Sequence, residues 1–413
     1  MSDFFDMYFE YFKNTESPMI YHRWCAMSGI AALLGRQFYM QHGHTDIYPN
    51  MYCMLIGDPG ARKSSAVKGI KRLLLQAGYS TVAADKTTKE KFLLDMEEQG
   101  ADTASTPRAA NSTLAELFGK EGTGSDNKEM FIMADEFNDF MGINNIEFIS
   151  LLTNLWDYDG PYRSRIKTGK SVSINNPTIN MLTGNTHAGF NEALPPSIVG
   201  QGFLSRLILI YGEKGKKITF PARPPEELTT ELVTALGVIK EHVQGRAEIE
   251  PAALTAIDYI YQNWEDLEDL RFRSYSTRRL THLLKLCLLC AAMRVSTTIT
   301  LSDLVLANTI LTYTESMMPK ALGEFGKAKH SSAASKIMAA LYEAHKPLVI
   351  QDLWKVCSTD IEFKELAGLI TGLVQADKIQ STDKGFLAKV RHLDKEVKYV
   401  DYSLLKEIEH GRY

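Results

Sequence analysis

No stretch of this chain is apolar for the roughly 18 residues or more that a membrane-spanning helix requires, so no such span is expected. Its five cysteines follow no disulfide-framework spacing, which fits a reducing compartment. Cys287 and Cys290 form a CxxC pair, but they lie in an apolar helical run (283–291) with no second pair, and core packing is the better reading. A charge excess is lacking too. With 46 basic and 50 acidic residues the formal net charge is −4, which leaves no global footprint of a nucleic-acid binder, so any such contact must be local. The histidines show no ligand spacing, and neither repeats nor low-complexity tracts are evident. The opening Met-Ser-Asp-Phe-Phe-Asp is too acidic for a signal peptide, and the expected location is the cytoplasm.

What is present begins with residues 51–65. An apolar strand, Met-Tyr-Cys-Met-Leu-Ile, breaks into Gly57-Asp58-Pro59-Gly60-Ala61-Arg62-Lys63-Ser64-Ser65, and a helix follows. Such a turn cradles phosphate. Its backbone N–H groups wrap a polyphosphate, the helix N-terminus adds partial positive charge, Lys63 reaches the β/γ oxygens, and the Ser64 hydroxyl can ligate Mg²⁺. The usual pattern, G-x-x-x-x-G-K-[ST], has glycine where this chain has Arg62, whose side chain is expected to point outward while Gly60 gives the close backbone approach.

A second apolar strand, residues 130–134, ends in Asp135-Glu136, at the strand edge where open α/β sheets bind ligands. Asp135 is expected to hold the Mg²⁺ shell and Glu136 to orient and deprotonate an attacking water. Together with the loop, this pair indicates a nucleoside triphosphatase using ATP and Mg²⁺. Residues 161–175 carry Arg163, Arg165, Lys167 and Lys170 with no acid, and alternate as two short strands around Gly169. That predicts a basic-tipped hairpin suited to DNA phosphates, although a merely solvated hairpin shares the pattern. A further buried strand (178–183) leads to Asn185, placed to meet the γ-phosphate or the lytic water. Arg206 precedes the strand 207–211, at a module rim from which an arginine can reach a neighbour's nucleotide.

This order of parts resembles the AAA+ ATPases, and within them the clade with a hairpin before the first sensor. Tyr48-Pro49-Asn50, Leu155-Trp156-Asp157-Tyr158-Asp159-Gly160 and Gly202-Phe203-Leu204-Ser205-Arg206 look like bacteriophage and plasmid replicative helicases, with superfamily III character. The run from Thr277 to Leu286 is similar to the lid of minichromosome-maintenance ATPases. That similarity implies Arg278 as second sensor, with Arg279 the fallback.

The resemblance, over roughly residues 19–316, implies an α/β P-loop core with a parallel sheet and a helical lid, and the element order beyond it predicts a C-terminal winged helix. The expected divisions are N-terminal docking or oligomerisation helices (1–35), ATPase core (36–215), lid (216–325) and winged helix (331–413). The last rests on a helix-helix-helix-hairpin order, and its balanced charge leaves duplex DNA and protein contact equally open. The implied activity is ATP-dependent unwinding of DNA in phage or plasmid replication, by a homo-oligomeric, hexameric ring on single-stranded DNA at a fork. Primase and other replication proteins are candidate partners, no membrane is involved, and the host cytoplasm is the location for a phage-encoded chain. A helicase loader or initiator ATPase without unwinding is the alternative. A non-enzymatic regulator with a degenerate nucleotide site is the second.

Overall fold

The computed structural model describes residues 4–99, 127–165, 171–195, 198, 202–267, 269–323, 331–344, 346–375, 378–388 and 397–411. Two compact units emerge, one of residues 1–323 with 399–413, the other of 324–398.

The first unit is α/β. It opens with helices α1 (Phe4–Phe12), α2 (Met19–Leu34) and, after strands β1 (Phe38–His42), β2 (Thr45–Ile47) and β3 (Tyr52–Ile56), helix α3 (Lys63–Gln76) and helix α4 (Lys89–Glu98). Strands β4 (Glu129–Ala134), β5 (Pro161–Arg165), β6 (Ser171–Asn175), β7 (Thr178–Asn185) and β8 (Leu207–Tyr211) follow. The central sheet is wholly parallel in the order β4-β7-β3-β8, and a single parallel bridge joins Val82 to Phe131 on its β4 side. Every residue of β3 and β7 is buried; β3 therefore reads as a continuous apolar run, while β7 carries buried Thr178, Asn180, Thr183 and Asn185. Helix α2 touches all four strands and is buried from Ile20 to Leu34, so it has no polar face to announce it as surface structure.

The aromatic side chains of α1, Phe4, Phe5, Tyr8, Phe9, Tyr11 and Phe12, are all buried, and α1 packs on α2 and on the helix Glu226–His242. Residues 4–34 are therefore docked on this core. The helices Glu226–His242, Pro251–Asn263, Arg279–Met293 and Leu301–Leu322 occupy the stretch expected as a lid. A capping box of Thr300 and Asp303 starts the last of them, and Arg294 pairs with Asp303 at 2.5 Å.

The expected boundary of the last domain moves. Asn308 donates to the Tyr399 carbonyl at 3.0 Å, and the Asp401 N–H donates to Thr309 Oγ1 at 2.9 Å. These bonds dock the helix Tyr402–Glu409 on Leu301–Leu322, so 399–413 belong with the first unit. The second unit holds helices Ser331–Ala344, Ile350–Cys357 and Phe363–Gln375 and the hairpin of Ile379–Thr382 with Gly385–Ala388. Leu348 exchanges both backbone hydrogen bonds with Phe386, and Ala333, Ile337, Leu341, Leu353, Leu366, Ile370 and Ile379 form its core. Residues 326–330, left between the expected lid and winged helix, lie outside the described residues.

Candidate functional site

The loop after β3 turns sharply into α3. Gly60 has φ +84° and Arg62 sits in the left-handed region at φ 60°, ψ 29°, directly before the first helical residue, Lys63. Arg62 thus takes the backbone conformation for which glycine is the usual residue. Among the described residues, the backbone N–H groups of Gly60, Arg62, Lys63 and Ser64 find no hydrogen-bond acceptor, as the first turn of a helix requires. Lys63 Nζ folds back across the loop and donates to the Gly57 and Asp58 carbonyls at 2.7 and 3.1 Å. Burial holds its ammonium below the usual lysine range, and the nearby Glu136 and Asp58 carboxylates oppose that shift.

The register of the sheet assembles the rest. Ile56 pairs with Asn185 across β3 and β7, and Ala134 pairs with Thr183 across β4 and β7. Loop 57–65, Asp135-Glu136 and Asn185 therefore stand side by side at the carboxyl ends of three adjacent strands, where ligands of open α/β sheets lie. Gly184 makes this packing feasible, since a Cβ there would stand 2.5 Å from the Asp135 carbonyl oxygen. Asp135 pairs at 2.6 Å with Lys68, one helical turn beyond Ser64 on α3, and Glu136 is exposed at the N-cap of a short helix, Phe137–Met141.

Asn185 is only 2% exposed, and its amide is already held. Its Oδ1 accepts from the Thr186 N–H and its Nδ2 donates to Asn138 Oδ1, both at 2.9 Å, while Asn138 donates to the Gly189 carbonyl. Asn138 was not anticipated from the sequence, although its place two residues beyond the Asp-Glu pair was a usable signal.

Segment 15–21 adds contacts that no motif announced. Tyr21 Oη donates to the Ile56 and Gly212 carbonyls at 2.8 and 3.0 Å, tying the ends of β3 and β8 together. The Arg62 side chain does point outward, and its guanidinium pairs with Glu16 at 2.6 Å. Beside the loop a pocket of about 320 Å³ is lined by Asp58, Tyr211, Gly212, Glu213 and Lys214.

Strands β5 and β6 form the expected hairpin, with Arg163 opposite Ser173 and Arg165 opposite Ser171. Arg163 and Arg165 are exposed on one face, and Val172 and Ile174 are buried on the other. Lys167 and Lys170 lie outside the described residues. At the hairpin's root Arg36 donates to the Tyr158 carbonyl and to Thr178 Oγ1 and pairs with Asp159 at 3.3 Å.

Arg206 and Arg278 are not at the phosphate loop. Leu207 pairs with Tyr52 and Tyr211 with Ile56, so Arg206 lies at the amino end of the sheet, several residues from the loop along the strands. Arg278 joins it there. The two guanidiniums stand 5.7 and 5.6 Å from the Trp156 ring, and Arg278 Nε donates to Ser205 Oγ at 3.1 Å. Lys285 completes the group. It is buried, 4.5 Å from the same ring, and it donates to the Tyr48 carbonyl and Asn50 Oδ1 at 2.8 Å and pairs with Asp157 at 3.3 Å. Burial and then the charge of Arg278 lower the pKa of Arg206. The fallback, Arg279, is buried against Glu315 at 3.0 Å and lies over Trp264, a structural placement.

The chain matches no protein-family model, and no curated protein is found to be similar to it.

Proposed function

We propose that the protein is a Mg²⁺-dependent ATPase of AAA+ type that works as a ring-forming DNA helicase. The observation carrying this reading is the parallel register that sets Gly57–Ser65, Asp135-Glu136 and Asn185 at one end of adjacent strands. ATP would supply the phosphoryl group, and Mg²⁺ would supply positive charge to offset the charge of its phosphates. The donor set fits both. Free N–H groups at a helix N-terminus suit phosphate oxygens, and Mg²⁺ is ordinarily held by one or two protein oxygens plus phosphate and water. Ser64 and Asp135 would hold the metal, and Lys63 would turn from its two carbonyls to the phosphates. Glu136 would take the proton from the attacking water, with Asn185 and Asn138 fixing that water's position.

Arg206 and Arg278 lie too far along the sheet to serve their own loop, so we assign them to a neighbour's nucleotide. Arg163 and Arg165, with Lys167 and Lys170 beyond them, would face the phosphates of single-stranded DNA. The second unit's three helices, hairpin and Leu348 bridge support the winged-helix reading. The loader reading shares the ATPase and lacks only strand displacement.

DNA-stimulated hydrolysis measured together with fork unwinding tests this. Lys63→Ala should weaken ATP binding, whereas Glu136→Gln should still bind ATP and lose turnover by orders of magnitude, roughly 10²-fold or more, because only the activation of water is removed. Full turnover in Glu136→Gln would refute the assignment, and hydrolysis without unwinding would favour the loader.

A further inference from the structure

We propose that Glu16 and Arg62 form a latch that positions the phosphate loop for nucleotide. The proposal rests on the ATP-binding reading above and adds a residue that no loop motif contains.

The argument starts from the backbone. A residue with a Cβ resists the left-handed conformation, yet Arg62 adopts it immediately before Lys63, where it sets the direction of the free N–H groups. The Ser65 and Ala66 N–H groups bond its carbonyl from within the helix, and contacts from outside the loop add to that hold. Segment 15–21 holds both ends of the residue. Glu16 Oε2 accepts from Arg62 Nε at 2.6 Å, and Ser17 Oγ donates to the Arg62 carbonyl at 3.2 Å.

The same carboxylate reaches a third segment. Glu16 Oε1 accepts from the Ile218 N–H at 2.9 Å, and Gly215 lies so near the Glu16 carbonyl that a Cβ there would come within 2.4 Å. Residues 212–218 are thereby drawn to the N-terminal helices. This stretch begins with Gly212, Glu213 and Lys214, which line the pocket together with Asp58 of the loop. Glu16 therefore joins the left-handed loop residue to the segment that continues from the pocket lining. The Arg62 side chain is 54% exposed, so the ion pair itself contributes little energy. Its effect is geometric. Releasing it frees the one loop residue whose backbone is unfavourable.

A double-mutant cycle tests this, with wild type, Glu16→Gln, Arg62→Gly and the double variant. Binding of a fluorescent ATP analogue is measured beside kcat, and amide exchange across residues 57–65 is measured without nucleotide. In the wild-type background Glu16→Gln should raise the Kd by roughly threefold to fivefold, the upper end of what an exposed pair contributes. The loss should fall on Kd rather than kcat, and loop amides should exchange faster by a similar factor. Glycine adopts the conformation unaided, so in the Arg62→Gly background the same change should alter either quantity by less than about twofold. Equal losses in both backgrounds, or no loss in either, would overturn the latch. If none of the four proteins binds the analogue, the ATP reading fails and takes the nucleotide role of the latch with it. The exchange rates then still decide whether Glu16 holds the loop.

Discussion

Single buried ionisable residues give this protein a predictable response to acid. His22 is enclosed by aromatic rings, 4.2 Å from Phe12 and 6.2 Å from Tyr8, with Nε2 3.2 Å from Thr15 Oγ1. Burial takes its pKa down to about 3, and burial takes that of His282 down to about 4. In the unfolded chain both titrate near 6.5. Between those values the unfolded state binds protons that the folded state refuses, so stability is fully present above pH 6.5 and falls as the pH drops. Each histidine should remove about 1 kcal/mol per pH unit well inside its window. Urea unfolding at pH 7.5, 6 and 5 measures this, and His22→Leu should flatten the slope by about half. An identical slope in the variant would contradict the assignment. Residues such as His22 are illegible in a sequence, because nothing local separates an enclosed histidine from an exposed one. The loop residues 57–65 were legible because their chemistry lies in consecutive positions. Glu16, Arg36 and Lys285 were not, because their partners are 46, 123 and 235 residues away.

At the scale of elements, legibility followed the burial pattern. Strands β3 and β8 are uninterrupted apolar runs, β4 is one after Glu129, and β5 and β6 alternate, so both kinds could be recognised. The β1–β2 hairpin and the two-residue ladders of 245–246, 248–249 and 298–299 are too short to leave a pattern. The N-terminal helices were visible as helices, but which face of α2 packs was not, since α2 lacks the amphipathic stripe that indicates it. The β5–β6 hairpin supports a prediction of its own. Arg163 and Arg165 project from the exposed face, away from Val172 and Ile174, so replacing both with alanine should leave the fold intact. If they meet DNA phosphates, the double variant should bind single-stranded DNA more weakly, with a salt dependence shallower by roughly 0.7 per lost contact. Unaltered affinity and slope would reduce the hairpin to a solvated loop.

For the whole molecule, the decisive feature is that the expected catalytic residues fall at opposite ends of one parallel sheet. Gly57 follows Ile56 at the carboxyl end, and Arg206 precedes Leu207 at the amino end, with the two strands paired in register. Five paired residues span roughly 13 Å at the strand rise, before the turns at either end add to the gap. Arginines placed this way serve catalysis only if one subunit's amino end meets the next subunit's loop. Such a head-to-tail contact is heterologous, and it closes into a ring when the rotation permits. Arg206→Ala should then bind ATP without hydrolysing it, and so should Arg278→Ala if the pair over Trp156 acts together. Neither Arg206→Ala nor Lys63→Ala should hydrolyse ATP alone. In an equimolar mixture of the two, about a quarter of interfaces would join an intact loop to an intact arginine. Hydrolysis should return to a comparable fraction of wild type, provided that subunits exchange before the assay. Sedimentation with ATP and DNA would show whether assembly accompanies that activity. A monomer hydrolysing at full rate would place the arginines outside catalysis, and their cluster on Trp156 would then be structural.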